Sequence, residues 1–277
     1  MLRSGAEIPS FLYGTAWKEE RTEALVLSAL RAGFVGIDTA NQRKHYFEAG
    51  VGAAVQAALR EGRVRREALF LQTKFTFLDG QDHRLPYERA APVAAQVAQS
   101  FASSLEHLGT EYLDAYVLHG PSQGRGLGPA DWEAWGAMEA LAESGRVRYL
   151  GISNVTLEQL ALLGQRARVA PAFVQNRCFA RTGWDREIRA LCRERGSIYQ
   201  AFSLLTANTR ELARPAVTRI AARLRCSVPE VVFRFATASG MLPLTGSSNP
   251  EHLRLDLASP SLALLPEELS ALERLSG

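Results

Sequence analysis

Phe34-Val35-Gly36-Ile37-Asp38-Thr39-Ala40 reads as a short apolar strand that ends in a carboxylate. A buried strand does not tolerate an unpaired charge, so an acid at its end asks for a cationic partner close by. Two further stretches repeat the design. Ala68-Leu69-Phe70-Leu71-Gln72-Thr73-Lys74 finishes on a lysine, and Leu113-Asp114-Ala115-Tyr116-Val117-Leu118-His119 finishes on a histidine. Three apolar strands that each end in a different ionisable group suggest a site assembled from strand ends.

Outward from these stretches, strands and helices alternate. Further strands are expected at Phe11–Thr15, Val147–Ile152, Ala172–Asn176, Ile198–Phe202 and Met241–Thr245. Helices are expected at Arg21–Ala32, stopped by Gly33, and at Glu48–Glu61, where Val51, Val55 and Leu59 share a face. Val93, Val97, Phe101, Leu105 and Leu108 form a long apolar stripe closed by Gly109. Helical patterns follow at Pro129–Ser144, Leu157–Arg166, Arg186–Arg195, Ala216–Ala238 with a break before Pro229, Asn249–Asp256 and Glu267–Leu275. Eight strand–helix units, repeating at about thirty residues, are the arithmetic of a parallel (β/α)8 TIM barrel. A doubly wound open sheet would carry GxGxxG after its first strand, and none is present. No linker or shift in composition marks a boundary, so residues 1–277 are expected to form one domain.

Composition narrows the function classes. With 32 basic and 29 acidic residues the net charge is +3, too balanced for a nucleic-acid partner though suited to an anionic cofactor. Cys178, Cys192 and Cys226 are widely spaced with no CxxC pair, which argues against a disulfide framework or a metal site. No apolar run is long enough for a membrane span, and Met1–Pro9 shows no signal peptide. A cytoplasmic protein is the expectation.

On a barrel, the C-terminal strand ends surround the active site, so Asp38, Lys74 and His119 converge despite their separation in sequence. Tyr46 follows in the loop after Asp38. A tyrosine can protonate a developing alkoxide, but its reference pKa near ~10 makes it a reluctant base in reverse, and a lysine beside it would stabilise the phenolate. Asp38 would hold that lysine, and His119 would orient a carbonyl.

With these residues in view, the chain resembles the aldo-keto reductase family over nearly its whole length. The resemblance runs from Gly14-Thr15-Ala16-Trp17 to Asn249-Pro250-Glu251-His252 and rests on Gly36-Ile37-Asp38-Thr39-Ala40, Gln72-Thr73-Lys74, Tyr112-Leu113-Asp114 through Leu118-His119-Gly120-Pro121, and Gly151-Ile152-Ser153-Asn154. It implies NADP(H), with NAD(H) the alternative, and reversible hydride transfer to a small-molecule carbonyl substrate by a monomer. Asp38, Tyr46, Lys74 and His119 would be the catalytic tetrad. Ser153, Asn154 and Gln175 resemble the positions that hold the nicotinamide carboxamide, and Trp17 resembles a wall of the substrate pocket. Phe202 and Ser203 stand at the stacking position, and Gly246, Ser247, Ser248 and His252 in the phosphate segment.

The departures from the family are specific. The family usually places its tyrosine five residues after the aspartate, where this chain has Arg43, and Tyr46 stands eight after. Tyr13 and Tyr116 are the fallbacks, although both read as strand residues. Phe202 replaces the usual stacking tyrosine. Gly246-Ser247 stands where Lys-Ser is common, and His252 where an arginine is frequent; Arg254 is a candidate to compensate. The chain ends at Gly277, which suggests a pocket open on that side. Two other readings remain: a Schiff-base aldolase using Lys74, and a nucleotide-binding sensor or partner protein on the same barrel.

Overall fold

The computed structural model describes residues 7–275; the outermost parts of the Met1–Pro9 start and the Gly277 end lie outside the described residues. Eight parallel strands close into a barrel in sequence order: β1 (Leu12–Gly14), β2 (Gly36–Asp38), β3 (Phe70–Phe75), β4 (Leu113–Leu118), β5 (Val147–Ser153), β6 (Phe173–Arg177), β7 (Ile198–Phe202) and β8 (Met241–Thr245). The register places Asp38 beside both Gly14 and Gln72, and Ser153 beside Gln175. Pairing of β8 with β1 completes the ring.

The helices follow the apolar stripes. They are α1 (Thr22–Ala32), α2 (Glu48–Arg60), α3 (Val93–Leu108), α4 (Pro129–Glu143), α5 (Leu157–Arg166), α6 (Arg186–Arg195), α7 (Thr209–Leu212), α8 (Pro215–Leu224), α9 (Val228–Ala238), α10 (Pro250–Ala258) and α11 (Pro266–Glu273). The break before Pro229 is real. Arg225 turns left-handed at the end of α8, and the Ser227–Glu230 capping box opens α9 with Pro229 in its first turn, where no N–H is needed. The four-residue α7 was not expected, because it is too short to show a periodicity.

Two apolar layers stabilise the barrel. Valines, leucines and aromatics pack between strands and helices, and a separate cluster of Leu12, Phe70, Ala115, Tyr149, Phe173, Leu242 and Leu244 fills the interior. The β2 strand is shorter than the seven-residue stretch that defines it in sequence. Phe34 N still bonds Ala29 O at the exit of α1, and Val35 is exposed. Gly36 is required by close approach: a Cβ there would lie 2.6 Å from Leu12 Cδ2 and 2.9 Å from Phe11 O. At the N-terminal end of the barrel, buried Asp114 accepts from Arg66 Nη1 at 2.8 Å, Arg148 Nη1 at 2.7 Å and Leu71 N at 2.9 Å. That charge cluster ties β3, β4 and β5 on the face opposite the site. Among the described residues no helix is long and apolar enough to cross a membrane.

Candidate active site

The cationic partner that Asp38 asks for is Lys74. Its Nζ donates to Asp38 Oδ1 and Oδ2, both at 2.7 Å, and to Thr39 O at 2.8 Å. All three ammonium donors are thereby used, and the side chain is fully buried. The remaining capacity of Asp38 Oδ1 is met by amides: Gln72 Nε2 at 2.7 Å and Gln175 Nε2 at 3.0 Å. Gln72 and Gln200 exchange two further bonds at 2.8 Å, and Gln175 Nε2 reaches Gln200 Oε1 at 2.9 Å. A layer of three buried glutamine amides therefore lies under the ion pair. Gln72 and Gln200 were not singled out from sequence, but strand parity marks Gln72, two residues before Lys74 on the same inward side.

The loop after Asp38 brings Tyr46 back over this pair. Lys74 Nζ lies 5.2 Å from the centroid of the Tyr46 ring, and the Tyr46 and His119 rings meet edge to face at 5.9 Å. The extra residues of the loop are fixed at several points. Trp17 N donates to His45 O at 2.7 Å, Asn41 Nδ2 to Ser100 O at 3.0 Å, and Arg43 pairs with Glu20 at 3.1 Å. Tyr13 and Tyr116 lie in β1 and β4, fully buried, with hydroxyls on Ser247 O and Val97 O. Neither lines the cleft.

A cleft of about 1160 Å³ opens at the C-terminal end of the strands. Trp17, Asp38, Tyr46, His119, Ser153, Asn154, Gln175, Phe202, Ser203, Gly246, Ser247 and His252 line it, while Ser248 and Arg254 do not. Trp17 is 66% exposed and stacks on His45 with centroids 4.0 Å apart. Trp17, Asn154 and Ser203 all take left-handed backbone, with φ of 61°, 52° and 57°. Asn154 Nδ2 uses that turn to reach His119 O at 2.8 Å and Ser153 Oγ at 3.1 Å. Phe77 lines the cleft, while Phe75 and Trp135 are core. Lys18, which donates to Gly246 O, and Arg177, 5.6 Å from the Phe202 centroid, also line the cleft and were not anticipated. Among the described residues no group of His, Cys, Asp and Glu is placed to hold a metal ion.

Burial dominates the electrostatics. Desolvation, with the Asp38 charge second, raises the Tyr46 phenol above its ordinary range. The Lys74 ammonium beneath the ring is the charge that would favour the phenolate, and burial and Asp38 oppose it. Burial also presses Lys74 below its ordinary value, against the opposing pull of Asp38. The His119 imidazole is pushed down to about 3 by burial and then by the charge of Lys74. It is a neutral ring with one N–H to offer.

A dinucleotide fits the remaining lining. Gln175 commits its Nε2 inward, which leaves Oε1 as an acceptor beside Ser153 and Asn154, and Phe202 supplies an aromatic face. At α10 the Asn249 side chain takes the Glu251 N–H at 2.9 Å, and Pro250 has no N–H, so the helix start offers less to a phosphate than an uncapped one.

Comparison with known proteins agrees with this architecture. The chain is 28% identical to "Uncharacterized oxidoreductase YtbE" of Bacillus subtilis over 99% of its length and 91% of that protein. It is 32% identical to an aldo-keto reductase of Mycobacterium avium, covering 99% of this chain and 88% of the other. The crystal structure of an aldo/keto reductase from Brucella melitensis superposes with a TM-score of 0.82 at 26% identity, over 99% of this chain and 97% of that one. A Bombyx mori aldo-keto reductase in complex with NADP superposes at 0.83 with 24% identity, over 99% and 91%. With residues 11–276 also matched by the model of the Aldo/keto reductase family, the chain belongs to that family of oxidoreductases.

Proposed function

We propose that the protein is an NADP(H)-dependent reductase of aldehydes or ketones, with Tyr46 as proton donor. The observation that carries this reading is the buried Lys74–Asp38 pair beneath the Tyr46 ring, with His119 against the same ring at the base of one cleft. When bound, the nicotinamide supplies a hydride to the carbonyl carbon. His119 orients the carbonyl oxygen through its single N–H, and Tyr46 gives that oxygen its hydroxyl proton. Asp38 holds Lys74 under the ring, where its charge offsets the phenolate as it forms. Ser153, Asn154 and Gln175 would hold the carboxamide, Phe202 would stack, and Ser203, Gly246, Ser247 and His252 would meet the phosphates, with Ser248 at the margin. Trp17 walls the substrate side.

Lys74 offers no route to Schiff-base chemistry, because its amine is fully buried and its three donors have acceptors. A nucleotide sensor remains as a separate outcome. NADPH oxidation over a panel of aldehydes and ketones distinguishes the two: turnover is expected, and NADPH binding without turnover on any of them overturns the reductase reading. In the same assay the Michaelis constant for NADPH is expected to lie below that for NADH. A clear NADH preference overturns the choice of NADP(H). His252 stands on α10 where the family frequently has an arginine, so the margin is expected to be modest and to widen in His252→Arg.

The pH profile follows from the perturbed groups. Reduction needs Tyr46 protonated and His119 neutral. With His119 titrating at about 3, no acidic limb enters until pH falls toward that value, and the raised Tyr46 puts the basic limb above its ordinary range. The kcat/KM for the carbonyl is therefore expected to be flat from about pH 5 to pH 9, where an unperturbed histidine would give a limb near ~6.5. A limb at that position contradicts the assignment of His119.

A further inference from the structure

Thr76 lies two residues beyond Lys74, just past the end of β3, and is not part of the tetrad. Its Oγ1 stands 2.7 Å from His119 Nδ1. A neutral imidazole carries one proton, and the hydrogen bond made by one ring nitrogen decides whether the other is donor or acceptor. We propose that Thr76 is a positioning residue that sets the His119 tautomer: its hydroxyl donates to Nδ1, so the ring proton stays on Nε2, the nitrogen left to meet a carbonyl oxygen. This rests on the reading of the cleft as a carbonyl-reducing site.

The direction of that bond follows from what each choice leaves over. Thr76 is 5% exposed, and His119 Nδ1 is the partner of its hydroxyl. If the hydroxyl accepted a proton from Nδ1, the neutral ring would have none on Nε2 and could not donate to a carbonyl oxygen. If it donates, every polar hydrogen of the pair is placed, and Nε2–H faces the position where a donor is needed.

The surroundings hold Thr76 in that pose. Its carbonyl accepts from Tyr87 OH at 2.8 Å and from Gln81 Nε2 at 3.5 Å. Gln81 Nε2 also donates to Asn41 O at 2.9 Å, which connects the same segment to the loop that carries Tyr46. A β-branched side chain has few χ1 wells, and here the methyl selects one. Thr76 Cγ2 packs where a Cβ on residue 80 would sit, 2.6 Å away, so Gly80 makes room for the methyl and the hydroxyl is left facing the imidazole.

Two substitutions separate donor from shape. Thr76→Val keeps the methyl and removes the donor; Thr76→Ser keeps the donor. For Thr76→Val, kcat/KM for the carbonyl is expected to fall about tenfold, the worth of one neutral hydrogen bond, with KM for NADPH unchanged. Thr76→Ser is expected to retain most of the activity. An unchanged Thr76→Val, or equal losses in both variants, overturns the proposal. Proton–nitrogen NMR of labelled histidine in the free protein gives a second readout that needs no turnover. The expected wild-type spectrum has His119 protonated on Nε2, with that preference lost in Thr76→Val; a proton on Nδ1 in the wild type refutes the proposal. A wild-type protein without reductase activity would refute the proposed function and leave the tautomer to be decided by the spectrum.

Discussion

Replacing Tyr46 with phenylalanine is expected to lower kcat for carbonyl reduction by about 10²- to 10⁴-fold, the usual contribution of a positioned acid. The substitution is a narrow one. The ring that stands 5.2 Å from the Lys74 ammonium and edge to face with His119 remains, and only the hydroxyl goes. Affinity for NADPH and melting temperature should stay close to the wild type, so the loss appears in kcat. Undiminished turnover in a folded Tyr46→Phe protein would remove this residue from the role of proton donor. It would also show that the long loop brings Tyr46 to the cleft for another reason, since neither buried fallback tyrosine lines it.

The second large effect concerns Lys74 and reads on stability as well as activity. Lys74→Met strands the Asp38 carboxylate, 2% exposed, with only the Gln72 and Gln175 amides as side-chain donors. Breaking a buried pair from one side costs about 3–5 kcal/mol, because a charge is left uncompensated. At this chain length that corresponds to roughly 10 °C in melting temperature. Lys74→Met combined with Asp38→Asn removes the stranded charge and is expected to recover most of the stability while remaining inactive. Thermal denaturation of the two single variants and the double variant completes the cycle. A Lys74→Met protein as stable as the wild type would show that Asp38 is neutral or solvated in the fold, and the view of the pair as a coupled unit would fall.

The residues legible in sequence are those whose position follows from the backbone alone. Asp38, Lys74 and His119 sit at strand ends, and barrel closure brings strand ends together whatever the loops do. Tyr46 is different: it belongs to a loop, and only the bonds from Trp17, Asn41 and Arg43 show that it folds back over Lys74. Gln72 and Thr76 share the parity of Lys74 and were readable by counting in twos, but polar residues next to a known lysine attract no notice by themselves. Lys18 and Arg177 were missed for another reason. Long side chains reach the cleft by rotamer choice, which no periodicity encodes. In the phosphate segment, sequence order put Ser248 with its neighbours Gly246 and Ser247, yet the turn takes it off the lining.

The left-handed backbone at Trp17, Asn154 and Ser203 has an evolutionary side. Each such residue other than glycine costs about 1–2 kcal/mol against the right-handed alternative, and asparagine least among them. The rim thus carries a backbone cost, as do the turns at Glu19, Trp184, Asp185 and Arg225. Drift toward greater stability has an easy path, through glycine at positions 17 and 203, and that path leads through the pocket wall and the stacking turn. With tryptophan and serine there, the cleft keeps two lining side chains at the cost of two strained turns.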